Sequence, residues 1–336
     1  MRAWLMDSYE GIEKLRLAEV ADPEPGPGQV LLKMRYAALN PADAFLSQAM
    51  YPARPSLPHI LGREGVGDVL ALGPGVESVR VGETVGILCG ITGVNTWGTL
   101  AEKTVVSAAN LVGIPEGWSL EQMAGAPVVF LTAWQALTQW SDPPAPPAEG
   151  SVLLVTGASG GVGTASVLLG KSMNLTVVAL TRSPEKGAKL KELGADFVFA
   201  PDAATVRDLV KNSIAPKRID LAVDTVGGPQ FNDVVAMLGP GGRISVVGRS
   251  NGVVPEFNTA ALFFKRNRIG GVSASDFSVG AAQAVWEQIV GRLDAARRRP
   301  VVDQVFPFEE VKSAFARLAQ GPMGKVLVRV LPPPAG

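Results

Sequence analysis

Cysteine and histidine are nearly missing from this chain. Among its 336 residues, Cys89 and His59 are the single cysteine and the single histidine. A Zn2+ site takes about three or four thiolate, imidazole or carboxylate ligands, usually including several Cys or His. Neither a catalytic nor a structural zinc site of that kind can be assembled here. One cysteine also excludes an intrachain disulfide, which fits a reducing compartment. Net charge is missing too: Lys plus Arg and Asp plus Glu both number 31. Bulk attraction for nucleic acid or an anionic membrane is therefore not expected. The longest apolar stretch, Met123 to Leu137, contains Thr132 and Gln135 and is too short to span a bilayer. Asp7 and Glu10 fall where a signal peptide needs an apolar core. No internal repeat is visible. The expectation is a soluble cytoplasmic protein, long enough for two domains.

What the chain does have is a phosphate cradle. Val152-Leu153-Leu154-Val155 is an apolar, mostly branched run that predicts a buried strand, and Thr164 to Lys171 predicts a helix. Between them lies Thr156-Gly157-Ala158-Ser159-Gly160-Gly161-Val162-Gly163. The glycine spacing is Gly157-x-x-Gly160-x-x-Gly163, with Ala158 where the commoner fingerprint has a glycine. Glycines in a strand-to-helix turn let a pyrophosphate approach bare backbone at the positive end of the helix. The plain alternative is an ordinary turn without a ligand. Alternating elements downstream favour the dinucleotide reading. Thr176 to Leu180, Phe197 to Phe199, Asp220 to Asp224 and Arg243 to Val247 predict strands. Pro184 to Leu193, Thr205 to Asn212 and Phe231 to Leu238 predict helices. Such alternation builds a parallel sheet with helices on both faces.

The first third is different. Gln29 to Tyr36 and Gly67 to Leu72 predict short strands set off by proline and glycine turns, and a further strand follows Val81-Gly82-Glu83. This pattern predicts a compact, partly barrel-like β domain. A helix is predicted from Met123 to about Trp140, followed by the stiff proline-rich stretch Asp142 to Pro147. Val279 to Leu293 and Phe308 to Ala319 predict helices, Lys325 to Val330 a closing strand, and Leu331 to Gly336 a loose end.

Three more segments, Asn40-Pro41-Ala42-Asp43, Leu57 to Gly67 (LPHILGREGVG) and Val223 to Gly228 (VDTVGG), join the glycine turn in a family likeness. Together they resemble the medium-chain dehydrogenase/reductase superfamily, in its zinc-free quinone oxidoreductase and trans-2-enoyl thioester reductase branch, over roughly Gly26 to Val330. The resemblance implies an α/β fold: a Rossmann doubly wound parallel sheet plus a split β-rich, GroES-like catalytic domain. Residues 1–123 would form the first part of the catalytic domain, 124–273 the NADPH-binding domain, and 274–336 the rest of the catalytic domain. It also implies a homodimer joined through the cofactor sheets, with Ile269 to Ser273 as the edge strand. Asn40 stands where the zinc branch has a ligand cysteine and Arg63 where it has a histidine, so His59 is expected in a loop or at the surface. Without a Lewis acid, simple alcohol oxidation is not expected.

The cofactor can be read at the end of the second strand of the dinucleotide fold. NAD-specific members place an acidic residue about twenty positions past the glycines, to hold the ribose 2'-hydroxyl. Here that place is Thr181-Arg182-Ser183, with Lys186 one helical turn on. A guanidinium, a hydroxyl and an ammonium suit a 2'-phosphate, so NADPH is the expected cofactor; solvation of a helix start is the alternative reading of Arg182 and Lys186. Gly157, Ser159, Gly160, Gly161, Val162 and Gly163 would cradle its pyrophosphate. By resemblance, Gly248 would hold the nicotinamide amide.

Tyr51, in Gln48-Ala49-Met50-Tyr51-Pro52-Ala53-Arg54-Pro55-Ser56-Leu57-Pro58, resembles a tyrosine that precedes a Leu-Pro pair by six residues in enoyl thioester reductases. It would hydrogen-bond the substrate carbonyl or help protonate the product, with Asn40 assisting; a tyrosine simply packed in a loop is the alternative. Donors at that oxygen stabilise the charge that develops when hydride reaches the β-carbon. Trp97 resembles a segment that shapes the mouth of the substrate cleft, and aromatic packing alone explains it equally well. Arg63 and Glu64 read as an internal ion pair. Where mitochondrial enoyl reductases carry an aromatic pair, this chain has Gly270-Gly271-Val272-Ser273, which leaves the acyl substrate open. Lys265 to Arg268 and Arg297 to Arg299 read as a solvated turn and helix end, or as contacts for coenzyme A phosphates. The leading expectation is an NADPH-dependent, zinc-independent reductase of an activated C=C, in a 2-enoyl thioester or enone. The alternatives are an NADPH:quinone oxidoreductase and a non-catalytic nucleotide- or RNA-binding protein of the same fold.

Overall fold

Two kinds of strand sequence, mainly apolar and alternating, sort into two compact units in the computed structural model of this chain. The structure describes residues 1–88, 91–202, 208, 212, 214, 218–253, 256, 257 and 259–331. Cys89, most of the stretch Thr205 to Asn212 and the tail beyond Leu331 lie outside the described residues. The first unit comprises Met1–Val128, Ser275–Trp286 and Pro300–Gly336; the second comprises Val129–Ala274 and Glu287–Arg299.

The second unit holds the wholly apolar strand Val152–Val155. Its six-stranded sheet runs Phe197–Phe199, Thr176–Leu180, Val152–Val155, Ile219–Asp224, Leu238–Val246, Arg268–Gly271, and every neighbouring pair is parallel. Val152, Leu153, Leu154 and Val155 are completely buried, as strands covered on both faces must be. Parallel neighbours need crossovers, and helices Gly161–Ser172, Pro184–Glu192 and Gln230–Met237 stand between successive strands. The order reverses at Val152–Val155: the next strands in sequence lie on one side of it and the later ones on the other. That reversal defines the crevice where doubly wound sheets bind ligands, outside the carboxyl ends of the strands. The last strand, Arg268–Gly271, pairs with Leu238–Val246 and forms the edge of the sheet.

The first unit is built around a seven-stranded sheet. Its path is Val302–Pro307, Lys325–Arg329, Gln29–Ala38, Glu64–Leu72, Thr84–Ile87, Leu111–Gly113, and Lys103–Ser107 also pairs with Gln29–Ala38. Inward positions alternate along Gln29–Ala38: Val30, Leu32 and Met34 are fully buried. Lys325–Arg329 lies antiparallel to this strand, with Leu327 opposite Ala38. Chain segments near the two ends of the sequence thus share one sheet and one core. The Trp4 indole N–H donates to the Phe308 carbonyl at 2.8 Å within it. A separate three-stranded sheet pairs Arg2–Met6 with Arg16–Glu19 and His59–Ile60.

Several expected elements differ in detail. The helix expected from Met123 to Trp140 is two helices, Leu120–Ala124 and Pro127–Thr138. Gly125 ends the first, and a side chain there would sit 2.9 Å from the Lys325 Cβ; Pro127 starts the second at the position where a missing N–H does no harm. The helix expected from Phe308 begins as a 3-10 turn, Phe308–Glu310, before Val311–Ala319. His59 is buried in a strand, at 2 % exposure, not in a surface loop. Among the described residues no helix is long and apolar enough to cross a membrane.

Candidate functional site

A candidate dinucleotide site is assembled where the sheet order reverses. Gly157 leaves the strand with φ +56°, in the left-handed region that favours glycine. A Cβ there would meet the Thr225 hydroxyl at 2.4 Å, so the turn packs directly on the end of the strand Ile219–Asp224. A Cβ on Gly163 would meet the Gly157 carbonyl at 2.4 Å and the Ala158 backbone at 2.7 Å, so the helix sits tightly over the turn. At Gly160, by contrast, the nearest atom is the Gly157 carbonyl at 3.5 Å. Gly160 caps the helix Gly161–Ser172 without a side-chain hydrogen bond. First-turn N–H groups have no intrahelical acceptor, so this end can take an anion. Ser159, Gly161 and Val162 are half-buried around the opening.

Asp224 ties this edge together. Its carboxylate, 1 % exposed, accepts from the Thr156 hydroxyl at 2.6 Å and from the Val226 and Gly227 backbone N–H groups at 3.2 Å. Thr225 N–H donates back to the Thr156 hydroxyl at 3.0 Å. The Gly248 N–H donates to the Asp224 carbonyl at 3.3 Å, and a Cβ on Gly248 would press on the Thr225 carbonyl at 2.9 Å. The turns after three adjacent strands, carrying Gly157, Thr225 and Gly248, therefore lie together. Thr181, Arg182 and Ser183 follow the fourth, Thr176–Leu180. Ser183 caps the next helix by accepting the Lys186 N–H at 3.3 Å. Arg182 is exposed, and among the described residues no carboxylate pairs with it. The residues present fit a dinucleotide: two positions where only glycine fits, an open capping glycine, and after the next strand a guanidinium with no carboxylate partner among the described residues.

The first unit carries a second, polar cluster. Asn40 begins the helix Pro41–Ser47, and its backbone N–H donates to Asp43 Oδ2 at 2.9 Å. Asp43 Oδ1 lies 3.2 Å from Arg63 Nε. Arg63 Nη1 donates to the Tyr51 hydroxyl at 3.1 Å, and the guanidinium lies 4.4 Å from the centre of the Tyr51 ring. Burial pushes the Asp43 carboxyl up, against the pull of Arg63. For Arg63, burial pulls downward, but Asp43 and Tyr51 outweigh it and the guanidinium is raised. A hydroxyl that accepts one hydrogen bond keeps its own proton free to donate. Tyr51 is half-buried and packed on the core.

Arg63 and Glu64 do not pair with each other. Consecutive residues of an extended segment point to opposite sides, and the two take separate partners. Glu64, completely buried, accepts from Lys325 Nζ at 2.8 Å, from Asn40 Nδ2 at 3.0 Å and from the Val128 N–H at 2.9 Å. Lys325 Nζ also donates to Asn40 Oδ1 at 2.7 Å and to the Leu39 carbonyl at 2.8 Å. Asn40 thus has both ends of its amide engaged. His59 Nε2 faces the Gly93 carbonyl at 3.2 Å, and burial lowers its pKa while that contact partly restores it. Trp97 is anchored through its indole N–H to the Pro58 carbonyl at 3.2 Å. Among the described residues no cluster of three His, Cys, Asp or Glu side chains could hold a metal ion.

Three side chains of the basic runs are engaged as well. Lys265 Nζ donates to the Ala236 and Leu238 carbonyls at 2.6 and 2.9 Å. Arg298 donates to the Leu193 carbonyl, and Arg299 pairs with Asp294 at 2.7 Å. Three residues of the polar cluster escape sequence reasoning. Asp43 carries a signal, because Asn-x-x-Asp at a helix start is a capping pattern. Arg63 is visible but pairs with a different partner from the one expected. Lys325 carries none, since it meets Glu64 from 261 residues away.

Comparison with known proteins bears on each unit. Residues 26–116 match the family described as alcohol dehydrogenase GroES-like domain, and residues 161–294 the family described as zinc-binding dehydrogenase. The synaptic vesicle membrane protein VAT-1 homolog of Homo sapiens is 29% identical, over 98% of this chain and 86% of that protein. A crystal structure described as an NAD-dependent alcohol dehydrogenase is 31% identical, with a TM-score of 0.88, over 98% of this chain and 100% of the other. The quinone oxidoreductase of Thermus thermophilus, solved also in complex with NADPH, is 30% identical, with a TM-score of 0.79, over 98% and 100% of the two chains.

Proposed function

Because the chain belongs to the medium-chain dehydrogenase/reductase superfamily, in its quinone oxidoreductase branch, we propose that it is an NADPH-dependent, zinc-independent reductase of activated double bonds in enones or 2-enoyl thioesters. The glycine turn Gly157–Gly163 and the helix end behind it would hold the pyrophosphate, with Ser159, Gly161 and Val162 lining it. Arg182, Ser183 and Lys186, following Thr181, would hold the 2'-phosphate, and the Gly248 backbone the nicotinamide amide. Bound there, NADPH supplies a hydride to an electron-poor carbon.

The observation that carries the chemistry is the Tyr51 hydroxyl, fixed by Arg63 with its own proton free to donate. Hydride addition to the carbon β to a carbonyl moves an electron pair onto the carbonyl oxygen. Tyr51 donates a hydrogen bond to that oxygen, and one proton, replaced from water, completes the two-electron reduction. Asn40 acts at one remove: with Lys325 and Glu64 it forms the neutral base on which the cluster stands. The zinc-independent reading is supported by the residues at the two ligand positions, Asn40 and Arg63, and by the Lys325 ammonium held on Asn40 and Glu64. Trp97 would bound the substrate pocket. A homodimer through the free edge of Arg268–Gly271 belongs to the same proposal.

A second reading, NADPH:quinone oxidoreduction, is favoured by the 30% identical Thermus enzyme; it needs no proton donor at Tyr51. Absorbance at the NADPH band, followed with a panel of enones, enoyl thioesters and quinones and repeated with NADH, separates the two. Enone or crotonyl-thioester turnover that falls at least about a hundredfold in Tyr51→Phe supports the first. Quinone turnover unchanged in Tyr51→Phe, without enone or enoyl activity, supports the second. Salt-sensitive RNA binding with no oxidation of NADPH by any substrate would point instead to a non-catalytic nucleotide-binding protein.

A further inference from the structure

Arg63 holds a donor that nothing in the described protein uses. Its Nη2 is buried and has no hydrogen-bond partner, while Nε faces Asp43 at 3.2 Å and Nη1 the Tyr51 hydroxyl at 3.1 Å. A buried, unpaired N–H of a charged group is costly and persists where something outside the folded chain completes it. The orientation is set in advance. Asp43 is completely buried and fixed by the Asn40 N–H. The loop carrying Tyr51 is pinned by Arg54, which donates to the Tyr51 and Ala49 carbonyls, and by Tyr9, whose hydroxyl donates to the Pro55 carbonyl at 2.6 Å.

Charge decides what the free donor awaits. Two cations, Arg63 and Lys325, face two carboxylates, Asp43 and Glu64, so the cluster is neutral without a ligand. An anionic ligand would be held equally before and during reaction, so its charge would do nothing for the barrier. A neutral carbonyl whose oxygen turns negative only during reaction suits it, because the donor then binds the transition state more strongly than the ground state. We propose that Arg63 Nη2 and the Tyr51 hydroxyl form a two-donor clamp on one substrate carbonyl oxygen, holding the oxyanion that develops when hydride reaches the conjugated carbon. This rests on the reductase reading above and narrows it: the substrate presents an uncharged carbonyl, not a carboxylate, and Arg63 is a contacting group and not a structural ion pair alone.

Para-nitrophenol is the probe, because its phenolate mimics the oxyanion and its absorbance reports ionisation without turnover. Titrated into the full-length protein, it is expected to bind as the phenolate, with its ionisation shifted to lower pH. Arg63→Lys keeps a cation against Asp43 but lacks the second branch of the fork; it should weaken phenolate binding at least about tenfold. NADPH affinity should stay within about twofold, since its cradle is in the other unit. In turnover, kcat for an enone should fall while KM changes little. Should Arg63→Lys lose NADPH binding through misfolding, the double variant Asp43→Asn, Arg63→Gln removes both charges together and replaces it in the titration. The clamp is refuted if wild-type protein does not take up the phenolate, or if either variant binds it as tightly as wild type. A wild-type protein that binds phenolate in the Arg63-dependent way yet oxidises no NADPH would retain the clamp and overturn the reductase reading instead.

Discussion

Two side chains carry opposite kinds of information about this protein. Arg182 is exposed after the strand Thr176–Leu180, with no carboxylate against it among the described residues. If it holds the 2'-phosphate, Arg182→Ser should lower kcat/KM with NADPH by about ten- to a hundredfold, the worth of a charge-assisted hydrogen bond. Turnover with NADH should hardly move, and equal losses with both cofactors would reject the assignment. His59 has the reverse character, buried and neutral. Burial holds its imidazole below the ordinary value of about 6.5. On acidification the unfolded chain therefore takes up a proton before the folded chain does. The stability that depends on neutral His59 is complete above about pH 6.5 and is lost as pH falls toward the lowered folded value. Asp43, whose carboxyl burial raises, works in the other direction, so the difference between proteins is the measurement to make. Urea midpoints between about pH 7.5 and about pH 5.5 should decline in wild type more steeply than in His59→Gln. Parallel slopes would show that His59 does not titrate on unfolding.

Among the elements, the turn between Val152–Val155 and Gly161–Ser172 separates folding from binding. Gly163→Ala forces a methyl against the Gly157 carbonyl and the Ala158 backbone, which cannot move aside. It should destabilise the protein by about 1–3 kcal/mol, seen as a lower melting temperature. Gly160→Ala meets nothing closer than 3.5 Å and should melt as wild type does. If Gly160 belongs to the proposed cradle, the variant should nevertheless weaken NADPH at least about tenfold, because the added methyl would crowd the pyrophosphate; unchanged affinity would remove Gly160 from the cradle. The parallel sheet around this turn was legible in sequence because its strands carry mainly apolar runs, such as Val152–Val155 and Val177 to Leu180, separated by helical patterns. The first unit was harder to read. Arg16–Glu19 is mostly exposed and His59–Ile60 is two residues long, so neither shows a periodicity. Tyr51 and Asn40 could be singled out by resemblance, but their neighbours could not. The partners of Arg63 and Glu64 depend on which way each side chain leaves the backbone, and Lys325 depends on a strand pairing that no local pattern announces.

At the scale of the molecule, the free edge of the parallel sheet is the feature most open to test. Ile269 is 39% exposed on that edge strand, and Phe263 and Phe264, just before it, are 65% and 80% exposed. Unpaired strand edges with apolar neighbours are templates for a second chain. Sedimentation of the wild-type protein should give twice the single-chain mass, and Ile269→Lys should give the single-chain mass with NADPH affinity kept. A wild-type monomer would reject the dimer. The sheet of the first unit has a different consequence, for a chain that emerges from the ribosome one residue at a time. Glu64 is made early and the ammonium that neutralises it is made 261 residues later. At about 5–20 residues per second, the carboxylate waits roughly 13–52 s for its counterion. During that interval the dinucleotide unit can close nearly complete, so the nascent protein would complete the unit that carries Gly157 before the one that carries Tyr51.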